Sequence, residues 1–266
     1  MLQGILRAYG LLPDTIDGIF GTNTDRAVRR FQQQKELVDD GKVGQATWTV
    51  LLLGPLEQFK GEIIEPEEGD YHAPSRPLKT STYSADVEKE LRALWMTSEN
   101  TATDKRFDWY VLKSIEGKDR YAAMAASVHP DMPWWFVAVI HGLEASFRFS
   151  RHLHNGDTLA ARTTNVPKGR PVKGDPPFTW EESAYDALTM PGKAYHKEHD
   201  WTMPAILWRL EGYNGYGYRL YRGIHTPYLW AGTNHYSQGK YTSDGVWDSD
   251  AVSKQAGAAG VIRLLI

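Results

Sequence analysis

Apolar residues recur every three or four positions in the first part of the chain, which is the spacing of one face of a helix. The stretch 2–9 predicts a first helix, and Gly10 predicts its end. A second helix is predicted from Thr24 and a short third one from Thr47. The pattern therefore predicts a small three-helix unit over residues 1–56.

The same helical spacing dominates residues 84–266, so the predicted fold is mainly α. A turn signal at Asn155-Gly156 precedes the stretch 159–166, which predicts a short β-hairpin and makes this second domain α+β. Capping residues, prolines or renewed periodicity predict five helices in this domain. They start at Ser84, Asp131, Thr179, Pro204 and Ala251, and the last one runs to Leu265.

The segment between these two parts, residues 57–83, combines acidic residues with proline. Five acidic residues lie between Glu62 and Asp70, and prolines stand at 66, 74 and 77. Charge and proline together disfavour packing, so an extended linker is predicted.

Composition narrows the classes of function. A chain of 266 residues with 41% apolar residues has enough material for one or two domains with cores. The net charge of −3 argues against a nucleic-acid partner, and no apolar run is long enough to predict membrane insertion. The chain has no cysteine, which excludes disulfides and thiolate metal sites. No cofactor and no metal are expected.

Two Asp-Gly turns mark the first unit, in the strings Asp17-Gly18-Ile19-Phe20-Gly21 and Asp40-Gly41-Lys42-Val43-Gly44. With Ala27-Val28, Phe31-Gln32 and Thr47-Trp48, they resemble the PG_binding_1 type of three-helix peptidoglycan-binding module found in many cell-wall lytic enzymes. The resemblance implies a non-catalytic domain with peptidoglycan as its partner. Val28, Phe31 and Trp48 are expected in the core, and the binding groove is expected near Asp17, Phe20, Thr24 and Gln32.

One carboxylate interrupts a strongly apolar helix. Val137, Ile140 and Glu144 lie at positions i, i+3 and i+7 and therefore on one face. Desolvation there raises the pKa of a carboxyl and keeps it protonated, as a glycosidase acid requires. The alternative is an ordinary ion pair between Glu144 and Arg148, four residues on.

A turn carrying Asp157 follows Glu144, and Asp157 and Thr163 have a D-x5-T spacing. A helix ending in Glu, followed by Asp and Thr at this spacing, resembles the lysozyme superfamily of the phage type. The resemblance implies catalytic roles for Glu144, Asp157 and Thr163. The alternative for Asp157 is a structural residue of the Asn-Gly-Asp turn.

A second resemblance is carried by Tyr213-Asn214-Gly215 and by Glu144-Ala145-Ser146, which are similar to stretches of soluble lytic transglycosylases and goose-type lysozymes. It implies that Tyr213 and Asn214 line a glycan cleft. Farther on, aromatic and amide side chains of the kind that bind sugars are interleaved, and the alternative is a loop packed by its own aromatics. These residues are Tyr228, Trp230, Asn234 and Tyr236.

The order of a binding module before a lytic domain resembles endolysins from phages of Gram-negative hosts. We expect a monomeric muramidase that hydrolyses the MurNAc–GlcNAc β-1,4 bond, with Glu144 as acid and Asp157, helped by Thr163, activating water. The alternative is a lytic transglycosylase in which Glu144 acts alone and the product is a 1,6-anhydro sugar.

A wall-binding protein without activity is less expected. So is a zinc amidase, because the close histidine pairs 152/154 and 196/199 lack an H-E-x-x-H motif. Residues 1–4 show no secretory signal. With the endolysin resemblance, this implies synthesis in a host cytoplasm and action in the periplasm.

Overall fold

A computed structural model describes residues 2–8, 10–12, 19–44, 47–48, 50–51, 71–103, 105–243 and 245–266. The chain divides into two compact units, Met1–Glu67 with Leu264–Ile266, and Glu68–Arg263. Most of the predicted linker, residues 57–70, lies outside the described residues. Its remainder, residues 71–83, is part of the second unit.

The first unit is helical around a small apolar core. Helix α1 spans Leu2–Ala8 and helix α2 spans Thr22–Gln34, and the described residues between 47 and 51 are helical as well. Val28 and Phe31 are fully buried, and Trp48 packs against their cluster, as predicted. The other buried members of the cluster are Leu6, Leu12, Ala27 and Leu51.

The second unit is also mainly helical. Among the described residues of the whole chain there are ten α-helices and one two-stranded sheet. The helices of the second unit are α3 (Ala85–Met96), α4 (Arg106–Glu116), α5 (Lys118–Val128), α6 (Trp134–Ala145), α7 (Trp180–Thr189), α8 (Met203–Asn214), α9 (Pro227–Trp230) and α10 (Ala258–Arg263). A 3-10 helix spans Tyr195–Lys197 and a π-helical turn spans Tyr218–Arg222. No helix in the described parts of the chain has the length and apolar character to span a bilayer.

Local side-chain chemistry explains three of the predicted helix starts. The hydroxyl of Ser84 accepts a hydrogen bond from the backbone N–H of Val87 at the start of α3. Thr179 and Glu182 form a reciprocal capping box on α7. Pro204 lies in the first turn of α8, where a missing N–H costs nothing.

Two helices start at residues other than those predicted. Pro133, not Asp131, is the N-cap of α6, and Asp131 is exposed. The last helix begins at Ala258 rather than at Ala251. The carbonyls of Ser253 and Gln255 accept hydrogen bonds from the guanidinium of Arg106, which removes them from any intrahelical ladder.

The predicted hairpin at 159–166 is wrong. This stretch forms turns, because the backbone of Thr163 pairs with Arg170 and Gly169 instead of with a neighbouring strand. The sheet lies elsewhere, with β1 (Lys240–Ser243) antiparallel to β2 (Val246–Asp248).

Helix α6 is the centre of the second unit. Every residue from Phe136 to Leu143 is buried, and α6 packs against α4, α5 and α10. A helix that is apolar on all sides belongs in a core. Its last turn nevertheless carries Glu144.

A buried ion cluster joins distant parts of this unit. The guanidinium of Arg219 lies 2.8 Å from a carboxylate oxygen of Glu90 on α3 and 2.8 Å from one of Glu211 on α8. The same guanidinium donates to the carbonyl of Leu78, whose N–H donates to Glu90. Glu211 is thus a partner of Arg219, and the cluster fixes Leu78 against helices α3 and α8.

Candidate functional site

Glu144 lies at the carboxyl end of α6, where the chain leaves the core. Its neighbours Leu143 and Ala145 are buried, whereas Glu144 is partly exposed. The next residue, Ser146, ends the helix in the left-handed conformation. The apolar helix therefore presents a single carboxylate to a partly open surface.

The environment of Glu144 favours the protonated acid. Burial raises the pKa of Glu144 to about 7, against smaller opposing effects of the Tyr228 hydrogen bond and the Lys193 charge. The hydroxyl of Tyr228 donates to Oε1 of Glu144 at 2.9 Å. Glu144 is therefore partly removed from water at the end of the apolar helix. In the described part of the chain Glu144 forms no ion pair, and the Arg148 guanidinium donates to the carbonyl of Ala145 instead.

The negative charge of Glu144 affects the pKa values of three tyrosines. Burial, reinforced by the negative charge of Glu144, raises the pKa values of Tyr110, Tyr213 and Tyr228 above the ordinary value. All three remain protonated near neutral pH and can act as donors. The hydroxyl of Tyr213 donates to the carbonyl of Leu153 at 2.9 Å.

Lys193 supplies the nearby positive charge. Its ammonium donates to the carbonyls of Gly212 at 2.6 Å and Tyr213 at 3.1 Å, and lies 4.6 Å from the centre of the Tyr213 ring. Burial lowers the pKa of Lys193 to about 8, against the opposing charge of Glu144.

The turn after α6 lies directly against Glu144. A Cβ atom on Gly156 would stand 2.5 Å from the backbone oxygen of Glu144, and Gly156 has φ +76°. Only glycine readily adopts this positive φ and also leaves room for the Glu144 oxygen. The turn therefore brings Asn155 and Asp157 to the end of the helix that carries the acid.

The carboxylate of Asp157 holds a loop. Its carboxylate accepts hydrogen bonds from the backbone N–H groups of Thr164 and Asn165 and from the side chains of Asn155, Thr164 and Asn165. Partial burial would raise the pKa of Asp157, but these hydrogen bonds outweigh it and lower the pKa. A carboxylate so stabilised is a weak base.

Thr163 is buried and its hydroxyl is occupied. It donates to the carbonyl of Pro167 and accepts from the N–H of Arg170 at 2.9 Å. These bonds close the 163–170 loop, so Thr163 has no free hydroxyl with which to orient water.

The predicted sugar-binding residues fall into two groups. Tyr213 and Tyr228 belong to the surroundings of Glu144, and Asn214, which follows Tyr213, is exposed at the end of α8. The remaining three have structural contacts: Trp230 is 1% exposed, Asn234 bonds the backbones of Thr97 and Glu99, and Tyr236 bonds Gly239 and Ser253. For Trp230 the prediction is corrected, because a buried ring offers no face to a sugar.

Sequence reasoning missed Trp109. It lies on α4, a helix that was not predicted, and 39% of the residue is exposed. Its ring meets those of Tyr110 at 5.1 Å and Phe147 at 5.3 Å, edge to face. Through Phe147, three residues after Glu144, this partly exposed ring packs against the segment that follows the acid.

The histidine pair His152 and His154 has a structural role. His152 contacts the Ser183 hydroxyl and the carbonyl of Ala161, and His154 contacts Asp186 at 2.8 Å. These contacts fix the turn region to α7. Within the described residues no three His, Cys, Asp or Glu side chains are grouped so as to hold a metal ion.

The first unit presents a different surface from the one predicted. Thr24 and Gln32 are buried: Thr24 contacts Gln3 and Ile19, and Gln32 contacts residues 40–42 and 47. Phe20 is 52% exposed and its neighbour Ile19 is 66% exposed. Asp17 lies outside the described residues. An apolar pair therefore remains as the candidate contact surface.

Comparison with protein families identifies a domain in this unit. Residues 1–51 match the PG_binding_1 family, whose description reads "Putative peptidoglycan binding domain". The chain thus carries a PG_binding_1 peptidoglycan-binding domain at residues 1–51. This match confirms the resemblance of the first unit to peptidoglycan-binding modules. It supports association with the cell wall and peptidoglycan as a partner. Comparisons with curated proteins and with solved structures gave no match.

Proposed function

We propose that the second unit is a lytic transglycosylase that cleaves the glycan strand of peptidoglycan, with Glu144 as its one catalytic carboxylate. The observation that carries this proposal is the pKa of Glu144, raised to about 7 by burial, on a partly exposed side chain held by Tyr228. General acid–base catalysis is most efficient when the catalytic pKa lies near the working pH.

In the proposed reaction Glu144 first donates its proton to the oxygen between MurNAc C1 and GlcNAc as that bond breaks. The Glu144 carboxylate then takes the proton of the MurNAc C6 hydroxyl, whose oxygen bonds to C1. The product is a 1,6-anhydro sugar, no water is consumed, and Glu144 regains its proton. The Tyr228 hydrogen bond supports the anionic form between these two steps.

The state of Asp157 favours this reaction over hydrolysis. Five hydrogen-bond donors surround its two oxygens, which offer about four lone-pair sites. Four of these donors bond Oδ2 and one bonds Oδ1, and the lowered pKa of Asp157 makes its carboxylate a poor base for activating water. A muramidase remains the second candidate because the Asn155-Gly156 turn brings Asp157 against the end of the Glu144 helix.

The peptidoglycan-binding domain complements this activity. It would hold the chain on the sacculus and raise the local concentration of glycan bonds at the second unit. Synthesis in a phage-infected host and action in the periplasm are part of the same proposal.

The test is mass spectrometry of the fragments that the full chain releases from purified Gram-negative sacculi. We expect anhydro-MurNAc ends, and at least a hundredfold slower release by Glu144→Gln, since removing a general acid costs about 10²–10⁴ in rate. Glu116→Gln is the matched control, because Glu116 is a surface residue paired with Lys113.

Reducing MurNAc ends would replace the proposal with hydrolysis and return Asp157 to the reaction. Release of peptides from an intact glycan would contradict both. Equal release by Glu144→Gln and the unsubstituted chain would remove Glu144 from the reaction, and no release by either would leave only a wall-binding function.

A further inference from the structure

A cavity of about 260 Å³ lies in the second unit beside Lys193 and α8. It is slightly smaller than the roughly 300–1,000 Å³ of pockets for drug-sized ligands, so it suits one group of the size of an amino-acid residue. Charged and aromatic side chains both line it, and the aromatic ones are Tyr83, Tyr195, Trp208 and Tyr216. Trp208 and Tyr216 stack with ring centres 4.2 Å apart.

A glycine in α8 shapes this cavity. A Cβ atom on Gly212 would lie 2.5 Å from the hydroxyl oxygen of Tyr216. Glycine inside a helix is destabilising relative to alanine, and here it admits the end of the Tyr216 ring. The absence of a side chain at Gly212 therefore gives the Tyr216 ring its place at the cavity wall.

The charges on the cavity wall do not cancel. Arg209 and Glu198 neutralise each other at 2.7 Å. Lys193 has no carboxylate within ion-pair distance among the described residues, and its ammonium contacts the carbonyl of Gly212, which also lines the cavity. Carbonyls accept two of the three N–H donors of Lys193, so one donor and a positive charge remain for a ligand.

Two polar atoms on this wall are buried without partners in the described part of the chain. They are the hydroxyl oxygen of Tyr83 and Nε of Arg209, and Arg209 is only 9% exposed. Burial raises the pKa of Tyr83 to about 12, so it keeps its proton as a donor. Unpartnered donors are costly, and a ligand with acceptor oxygens would satisfy them.

We propose that this cavity is a subsite for a carboxylate of the peptide stem of peptidoglycan, with Lys193 as its counter-ion. The assignment rests on the proposed function, because peptide stems branch from the same strand that Glu144 would cleave. Lys193 links the two places: it lines the cavity, contacts Tyr213 and acts electrostatically on Glu144. Binding a stem here would select glycan bonds next to an intact peptide.

Calorimetric titration of the full chain with N-acetyl-L-alanyl-D-glutamate and with its diamide tests this subsite. The free acid is expected to bind at least about tenfold more tightly than the diamide, because hydrogen bonds to a charged group are stronger than those to a neutral one. Lys193→Met is expected to abolish the difference, and Lys193→Arg to restore part of it. Lys197→Met is the matched control, since Lys197 is an exposed residue four positions away.

Tyr83→Phe provides a second variant that keeps the ring and removes only the unpartnered hydroxyl, and it is expected to weaken binding several-fold. Equal binding of acid and diamide, no binding of either, or full binding by Lys193→Met would overturn the subsite. Equal competition by acetate would reduce it to a general anion site and overturn the peptide assignment. Binding as expected without cleavage of sacculi would overturn the proposed function alone.

Discussion

The hydroxyl of Tyr228 donates a hydrogen bond of 2.9 Å to Oε1 of Glu144, although 84 positions separate the two residues in the chain. Tyr228 lies in the short helix α9 and is buried, so its ring is fixed. The bond stabilises the carboxylate, while burial of Glu144 stabilises the acid. The balance of these two effects sets the proton affinity on which the proposed reaction depends.

Tyr228→Phe is expected to raise the pKa of Glu144 further, because it removes a donor to the charged form. The alkaline limb of the pH profile of kcat/KM should move upward by roughly one pH unit, since a hydrogen bond to a charged group is worth about 1.5–3 kcal/mol. Tyr221→Phe is the control, because Tyr221 is 76% exposed. An unchanged profile would show that the hydroxyl has no influence on the acid.

Stability should depend on pH through Glu144. Its pKa is 4.5 as an ordinary side chain and about 7 in the folded protein, so the folded state retains a proton that the unfolded state loses. Stability is therefore lost as pH rises from about 4.5 to 7. Glu144→Gln removes this loss. Between pH 4 and pH 8, its free energy of unfolding should therefore rise by at most about 3 kcal/mol relative to that of the unsubstituted chain.

Urea unfolding followed by tryptophan fluorescence measures this difference, because nine of the ten tryptophans lie at or beyond residue 95. Parallel pH dependences of the two proteins would mean that Glu144 titrates normally.

Asp157→Asn is expected to weaken the loop and leave the chemistry intact. The change removes a charge that five donors stabilise, so the free energy of unfolding should fall by about 1–3 kcal/mol. Anhydro-MurNAc ends should still be released. Asp175→Asn is the control, because its side chain is 95% exposed. A hundredfold loss of activity in a folded Asp157→Asn protein would instead assign Asp157 as the base of a hydrolase.

Trp109→Ala is expected to raise KM for glycan strands about fivefold with little change in kcat, since an aromatic contact contributes roughly 0.5–1.5 kcal/mol. The ring is exposed beside Tyr110 and offers a flat apolar face to a sugar. Trp109→Tyr should restore most of the affinity because it keeps a ring. Loss of activity that Trp109→Tyr does not restore would point to disturbed packing against Phe147 rather than to a lost sugar contact.

In the peptidoglycan-binding domain, Phe20→Ala and Gln32→Ala should have different effects. Phe20 is half exposed, so its removal should weaken pull-down on sacculi without altering the melting temperature. Gln32 is buried and bonded to the turn at 40–42, so its removal should lower the melting temperature. Binding is measured in the Glu144→Gln chain to prevent cleavage, with Val38→Ala as an exposed control. Equal binding by Phe20→Ala and Val38→Ala would contradict the proposed surface.

Periodicity and capping chemistry predicted much of the helical framework. The starts of α3, α7 and α8 follow from Ser84, Thr179 and Pro204, which act locally. Helices α4 and α5 were not predicted. The hairpin at 159–166 failed because long-range and loop hydrogen bonds, such as those between Thr163 and Arg170, outweigh local strand preference.

Glu144 could be selected as a candidate from the sequence because a carboxylate on the apolar face of a helix is unusual and is visible locally. Its partners could not, because Tyr228 and Lys193 meet it only through the tertiary fold. Trp109 was missed for the same reason. For Asp157, the sequence is equally consistent with a structural role in the Asn-Gly-Asp turn and with a catalytic role. Its hydrogen bonds to the loop favour the structural role.

The buried cluster of Arg219, Glu90 and Glu211 has a consequence for dissecting the chain. Leu78 is part of it through both its N–H and its carbonyl, so the folded unit reaches back past the predicted boundary at residue 84. A truncated protein that begins at residue 84 would lose two hydrogen bonds to a buried guanidinium and a buried carboxylate. To separate cleavage from wall binding, the truncation should therefore be made upstream of Leu78, where residues 71–77 still belong to the second unit.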